Sequence, residues 1–270
     1  MPLRKGAALL VLLLLAATGC SRLTFIKPKM ERGKFTRVAP EYQVREDKRD
    51  RQRIVAIDAQ ALAEQALRQN QLDEAERQAR TAVAADGASA DAHTVLAVVL
   101  QQRGDAKQAG AEYEKAVALA PNRGIVLNNY AVWLCGNGRK AESLPVFERA
   151  LADPAYPTPA TALANEGACA LDAGQAAIAG QKLRQAIALD PTNPVGLAAL
   201  AASEYRAGRY LEARAFSERR LAAAPATPEV LQLASQIEQK LGDTAAAARY
   251  VQRMRAEFPD QRAIPGDAGQ

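Results

Sequence analysis

Apolar residues recur along this chain at the spacing of amphipathic helices. Leu127, Ala131 and Leu134 fall three and four positions apart, which predicts one buried stripe of a first helix. Gly138 interrupts the pattern, and Pro154 ends the unit. A second stripe lies between them: Ala141, Leu144, Phe147, Ala150 and Leu151. One helical hairpin cannot bury both stripes, so the pattern predicts neighbouring units of the same shape.

The unit recurs about every 34 residues through six copies. The copies begin near Ala56, Ala90, Gly124, Ala160, Pro194 and Pro228. The residue between the two helices of each copy tolerates a left-handed conformation: Asn70, Gly104, Gly138, Gly174, Gly208 and Gly242. A small residue follows five positions later: Ala75, Ala109, Ser143, Ala179, Ala213 and Ala247. Small side chains there predict close approach of the paired helices. A two-residue insertion in the stretch 155–159 separates copies three and four.

This period and residue pattern resembles the tetratricopeptide repeat. The resemblance implies an all-α fold, a right-handed superhelical solenoid of six tetratricopeptide helical hairpins. Its concave groove, lined by the first helices, would bind peptides or a protein partner. Arg220 and Met254 replace the expected Ala in copies five and six, so we expect those pairs to pack less tightly.

The N-terminal stretch resembles a bacterial lipoprotein signal. Arg4 and Lys5 precede an apolar run from 7 to 17 that ends in small residues and Cys20. We expect a signal peptide over 1–19 and acylation of Cys20, and the alternative is an ordinary cleaved signal with an incidental cysteine. Because Ser21 and not Asp follows, lipoprotein sorting implies a lipid anchor in the outer membrane, on its periplasmic face.

Charge and composition divide the remaining chain. The formal net charge is +5, and residues 21–53 hold eleven Lys or Arg against five Asp or Glu. A basic segment can indicate nucleic-acid binding, but after a secretion signal we interpret 20–53 as a flexible basic tether and expect no nucleic acid. The repeat domain is predicted over 54–261, with a disordered tail over 262–270.

Two cysteines remain after Cys20. Cys135 and Cys169 lie at nearly the same height in the first helices of copies three and four, which should be neighbours. Outside the cytoplasm this arrangement predicts a disulfide, and the alternative is a pair of buried free thiols.

Nothing in the sequence indicates catalysis. His93 is the only histidine, and it occupies a slot where a packing role is expected. The recurring glycines are spaced one per copy and do not form a phosphate loop. We therefore predict no enzyme activity, no cofactor, no metal site and no small-molecule substrate.

The groove is the remaining candidate site. In copies one and two its slots are apolar and would suit an amphipathic helix or strand: Ile57, Leu67, Val95 and Val98. In copies three and four its slots hold amides that could bind the backbone of an extended peptide: Asn128, Asn129 and Asn165. Asparagine is also common at this position in the repeat, where it only stabilises the fold.

The segment from Leu127 to Gly174, with the lipoprotein signal and six repeats, resembles the type IV pilus biogenesis and stability lipoproteins of the PilW/PilF family. The resemblance implies a scaffold at the outer membrane that assists insertion or multimerisation of the pilus secretin, its protein partner, or that stabilises the pilus. The alternative is a general envelope scaffold for peptidoglycan enzymes or outer-membrane protein assembly.

Overall fold

The computed structural model describes residues 47–259, which form twelve α-helices. In chain order they are α1 Lys48–Arg68, α2 Leu72–Ala85, α3 Ala90–Gln102, α4 Ala106–Leu119, α5 Gly124–Gly136, α6 Lys140–Leu151, α7 Pro159–Asp172, α8 Ala176–Leu189, α9 Pro194–Arg206, α10 Tyr210–Ala223, α11 Pro228–Leu241 and α12 Thr244–Glu257. Successive helices pair into six hairpins, and each first helix also contacts the first helix of the next hairpin. The fold is therefore an all-α superhelical repeat.

The structure bears on the predicted N-terminal boundary of the repeat domain. The first helix begins at Lys48, ahead of the predicted start at residue 54, so the end of the expected tether is helical. The signal peptide, Cys20, most of the tether and the C-terminal tail lie outside the described residues.

The turns inside the hairpins have the backbone that the sequence predicts. Asn70 is the only described non-glycine residue with a positive φ, 56°. The five glycines in the equivalent slots have φ between 75° and 83°: Gly104, Gly138, Gly174, Gly208 and Gly242. Most residues with a Cβ are strained in this region. Gly has no Cβ and Asn tolerates the conformation, which explains why the slot takes one of these two.

The helices begin where side chains satisfy their free N–H groups. Ser89, Asp105, Asn193, Thr227 and Asp243 each accept a hydrogen bond from a backbone N–H in the first turn of the following helix. Proline stands in the first turn of α7, α9 and α11, where its missing N–H costs nothing.

Small residues bring the two helices of each hairpin together, as predicted. The small residues at the start of the second helices are all buried, and five of the six have no measurable exposure: Ala75, Ala109, Ser143, Ala179, Ala213 and Ala247. Their short side chains allow the paired helices to pack in contact, so the core runs along the array as a series of clusters.

Arg220 occupies the slot of copy five where the repeat usually has Ala. Arg220 is buried, and its Nη1 donates to the carbonyl oxygens of Ala224 and Pro225 at 3.1 and 3.2 Å. The guanidinium thus satisfies carbonyls beyond the end of α10, which Ala in this slot could not do.

The insertion between copies three and four is built into the array. The N-cap residue of α5, Arg123, makes no side-chain cap. The Asp153 carboxylate caps this helix instead, since it accepts a hydrogen bond from the N–H of Gly124 at 2.7 Å. Tyr156 is buried against Gly124, where an added Cβ would lie 2.8 Å from the tyrosine ring. Asp153 and, from the inserted stretch, Tyr156 therefore close the N-terminal end of α5.

Candidate functional site: the groove of the first helices

The N-terminal end of the array exposes an apolar surface. On α1, Ile54, Val55, Ile57 and Leu62 are each about half exposed, and Ile57 is the most exposed at 59%. Leu67, also on α1, is half-buried and packs on the first core cluster. Ile54 and Ile57, three positions apart, share one face of α1, whereas Val55 and Leu62 lie on another face. We call Ile54 and Ile57 the N-terminal apolar surface. The predicted residue Ile57 is thus free to contact a partner, and Leu67 is partly so.

The two valines of α3 differ in what they leave exposed. Val98 is half-buried against the first core cluster, so part of its side chain reaches the surface. Val95 is only 9% exposed and is a member of that cluster, together with Ala63 and Ala97. Val95 therefore serves the packing of copies one and two, and its predicted contact with a partner is corrected to a core role.

The asparagines mostly bond to each other. Asn165 on α7 donates from Nδ2 to Oδ1 of Asn128 on α5 at 3.1 Å, and Asn128 is only 6% exposed. Asn128 thus links two copies, so its predicted contact with a peptide backbone is corrected to a structural role. Asn129 and Asn165 are both half-buried, so these two amides of the set keep accessible surface.

Cys135 and Cys169 form a disulfide, with an S–S distance of 2.06 Å and Cα atoms 6.0 Å apart. It joins α5 to α7, the first helices of copies three and four. The hydroxyl of Ser143 on α6 lies 3.0 Å from the Cys169 sulfur. The cross-link holds the two helices side by side next to the insertion, where the repeat register changes.

A second part of the groove, between α7, α9 and α11, was not predicted. It is a cavity of about 410 Å³ lined mainly by small and apolar residues. These include Ala168, Leu171, Val195, Ala198, Ala202 and Val230. An ion pair between Arg206 and Asp172, 3.4 Å apart, lies at its edge. The signal was present as alanine at successive groove slots, since small side chains leave room for the apolar side chain of a ligand.

His93 is held inside the array. Its Nδ1 lies 2.5 Å from a carboxylate oxygen of Glu112, its Nε2 lies 3.1 Å from the carbonyl oxygen of Gly87, and the ring is 5% exposed. Burial opposes ionisation of Glu112, but hydrogen bonds from Lys115 and His93 outweigh it and lower the pKa of this carboxyl. Both ring nitrogens are occupied by structural partners, which gives His93 a packing role between α3 and α4.

Glu166 on α7 is a second buried carboxylate, 1% exposed, with one oxygen 2.8 Å from Nζ of Lys182 on α8. Its other oxygen has no hydrogen-bond partner among the described residues. Burial raises the pKa of Glu166, and the pairing with Lys182 offsets this only in part. The pair lies within one hairpin and faces no cavity described above.

Residues 47–259 contain no group of three or more His, Cys, Asp or Glu side chains placed to hold a metal ion. Within the same residues, no helix combines the length and the apolar character needed to cross a membrane.

Comparisons with known proteins agree with the repeat fold described above. The family model described as "Tetratricopeptide repeat" matches residues 61–123 and 134–194. The type IV pilus assembly protein PilF of Pseudomonas aeruginosa is 28% identical over 193 residues, which are 72% of this chain and 77% of that protein.

Two solved structures share both fold and sequence with the chain. The crystal structure of PilW, a widely conserved type IV pilus biogenesis factor, superposes with a TM-score of 0.67 at 29% identity and covers 77% of this chain and 96% of PilW. The structure of Pseudomonas aeruginosa PilF gives 0.64 at 26% identity and covers 80% and 96%. The chain is therefore a tetratricopeptide-repeat protein, homologous to the type IV pilus biogenesis proteins PilF and PilW at moderate identity over most of its length.

Proposed function

We propose that this chain is a non-enzymatic, outer-membrane lipoprotein that acts as a protein-binding scaffold in type IV pilus biogenesis. In this role it captures a segment of the pilus secretin and assists insertion or multimerisation of the secretin ring, or stability of the pilus. The observation that carries the proposal is the similarity to PilF and PilW over most of both chains.

The N-terminal apolar surface is the docking site for this partner. Two isoleucines on one face of α1 stay about half exposed to water, and burying them against a partner favours capture of an apolar helix or strand. Full burial of one isoleucine side chain stabilises a complex by roughly 1.5–3 kcal/mol. Ile57, Leu67 and Val98 contribute the exposed parts of their side chains to this contact.

The anchor follows from the sequence. Acylation of Cys20 would tie the array to the periplasmic face of the outer membrane, and residues 21–46 would separate the anchor from the first helix. Capture of the secretin segment then occurs at the membrane where the ring forms.

The anchor is tested with Cys20→Ala in cells that carry the secretin. We expect loss of secretin multimers from outer-membrane fractions while the repeat protein itself remains folded. Normal multimers in the outer membrane of this variant would refute the role of the anchor.

The docking site is tested with Ile57→Ser and a matched control, Leu211→Ser. Leu211 on α10 is 66% exposed, so both substitutions remove a similarly exposed aliphatic side chain. Loss of one buried isoleucine should weaken co-purification with the secretin roughly tenfold or more, whereas the control should retain it. Equal binding by both variants would contradict the site.

The same purification of the full chain from envelope extracts distinguishes the alternative scaffold. Recovery of secretin or pilus proteins supports the proposal. Recovery of murein hydrolases or barrel-assembly factors in their place would assign the chain to peptidoglycan or outer-membrane protein assembly.

A further inference from the structure

A cavity of about 550 Å³ lies between copies four and five, outside the groove site proposed above for the secretin. Residues from α7, α8, α9 and the adjoining turns line it, among them Gly180, Arg184, Leu200, Ser203 and Arg209. We call it the copy 4–5 pocket. The repeat offers an internal template for what fits in it.

The template is the junction of copies two and three. Gly110, Trp133 and Arg139 stand 70 positions before Gly180, Ser203 and Arg209, the same distance that separates the left-handed glycines Gly104 and Gly174. The two triads therefore occupy the same positions of the repeat, two copies apart.

In the template, an indole ring fills the space. A Cβ added to Gly110 on α4 would lie 2.5 Å from two atoms of the Trp133 ring, so the ring occupies the room that the glycine leaves. Trp133 stacks on Tyr130 with centroids 5.9 Å apart and planes at 11°. The guanidinium of Arg139 lies over the ring, 5.7 Å from its centroid.

In the copy 4–5 pocket, the same frame lacks the ring. Ser203 replaces Trp133, and Gly180 still carries no side chain. Leu200, 4% exposed, takes the place of Tyr130 as an apolar wall. The atom closest to a Cβ added at Gly180 is Nη1 of Arg184 at 3.3 Å, the mobile end of a side chain. Arg209, the repeat equivalent of Arg139, lines the cavity and is paired with Glu204.

At the remaining three junctions both positions carry side chains, although a smaller cavity of about 290 Å³ remains between copies five and six, lined by Arg214, Glu238 and Asp243 among others. The paired residues are Glu76 with Val99, Leu144 with Cys169, and Arg214 with Ile237. Only between copies four and five does a glycine meet a serine, so the cavity there is larger than the one between copies five and six.

We propose that the copy 4–5 pocket binds an aromatic side chain, tryptophan above all, that a partner polypeptide presents next to an acidic residue. The ring would lie on Gly180 against Leu200 and under Arg209, in the arrangement that Trp133 adopts internally. Arg209 is paired with Glu204, and Arg206 with Asp172. Arg184 lines the pocket with no ion-pair partner among the described residues, so its guanidinium favours a neighbouring carboxylate on the ligand.

The test is a titration of the ¹⁵N-labelled full chain with the peptide acetyl-Asp-Trp-Asp-amide, in which binding is monitored by the amide chemical shifts of the protein in NMR spectra. The matched peptide acetyl-Asp-Ala-Asp-amide is the control. We expect saturable shifts of amides around Gly180, Ser203 and Arg209 with the tryptophan peptide and none with the alanine peptide. Shifts confined to α1, or no saturable shifts, would overturn the proposal and leave the secretin-binding proposal intact.

Two filling variants check that the shifts arise from this pocket. Ser203→Trp copies Trp133, and Gly180→Leu copies Leu144, so each places a side chain that another copy already accommodates. Each folded variant should bind the tryptophan peptide at least tenfold more weakly than the parent. Unchanged binding in whichever variant retains the parental circular dichroism spectrum would refute the site.

Discussion

Two glycines at the same repeat position should respond in opposite directions to the same substitution. Gly110 and Gly180 both lie inside second helices, where replacing Gly by Ala stabilises by about 1 kcal/mol through helix propensity. At Gly110, however, the new Cβ would lie 2.5 Å from the Trp133 ring, far inside ordinary contact. At Gly180 the nearest obstacle is the mobile end of Arg184, at 3.3 Å.

The magnitudes follow from this geometry. Overpacking of a filled site costs roughly 1–3 kcal/mol, and displacing Trp133 also weakens its stack on Tyr130, which is worth about 0.5–1.5 kcal/mol. We therefore expect Gly110→Ala to lower the free energy of unfolding despite its better helix propensity. Gly180→Ala should raise that free energy by up to about 1 kcal/mol. For a domain of this size, each kcal/mol shifts Tm by roughly 2–4 °C.

The assay is thermal unfolding of the two variants and the parent, monitored by far-ultraviolet circular dichroism at the same scan rate for all three. Trp133 is the only tryptophan of the chain, so its fluorescence reports locally on the junction of copies two and three. Gly110→Ala should shift the emission, whereas Gly180→Ala should leave it unchanged. A higher Tm for both variants with unaltered emission would refute the reasoning.

Three further substitutions test contacts elsewhere in the array. Reduction of the Cys135–Cys169 disulfide should lower the Tm of the parent. The disulfide spans a sequence separation of 34, which stabilises by roughly 3–4 kcal/mol in the chain-entropy model. The Tm of the double variant Cys135→Ala/Cys169→Ala should not respond to reductant. Glu166→Gln should have a higher free energy of unfolding than the parent, measured by urea denaturation at neutral pH. Because burial raises the pKa of this carboxyl above its usual 4.5, that advantage should shrink as the pH falls through the raised pKa, and a constant difference across pH would contradict it. Asp153→Ala should lower the free energy of unfolding, since α5 loses its cap at Gly124. This backbone hydrogen bond lowers the pKa of Asp153, so in urea unfolding the parent's advantage should hold at neutral pH and fade as the pH drops through that lowered pKa.

The sequence was sufficient for the local features of the fold. The left-handed slots, the small residues that join the helices of a pair, and the hairpin boundaries all follow from which residues tolerate a backbone conformation or a close contact. Each is decided within one copy, so the repeated pattern shows it six times. The hydrogen bonds of Arg220 could not be predicted in this way, because its long side chain reaches carbonyl oxygens beyond the end of its own helix.

The groove was only partly predictable. Ile57 and Val95 occupy groove slots in consecutive copies, yet one is 59% exposed and the other 9%. The two stand at different positions of the repeat, since the copy-two equivalent of Ile57 is Asp91. Val95 is buried because α3 packs between α1 and α5 and this side chain belongs to the first core cluster. Asn128 likewise looked available until Asn165, from the next copy, accounted for its oxygen.

By itself the amino-acid order determined that six hairpins stack, since period, turn residues and small positions act at short range along the chain. Only the tertiary structure decided which surfaces and cavities remain, because burial at a repeat junction depends on side chains from two different copies. Gly110 and Gly180 are the same residue at the same position, but one lies under Trp133 and the other beside an open pocket.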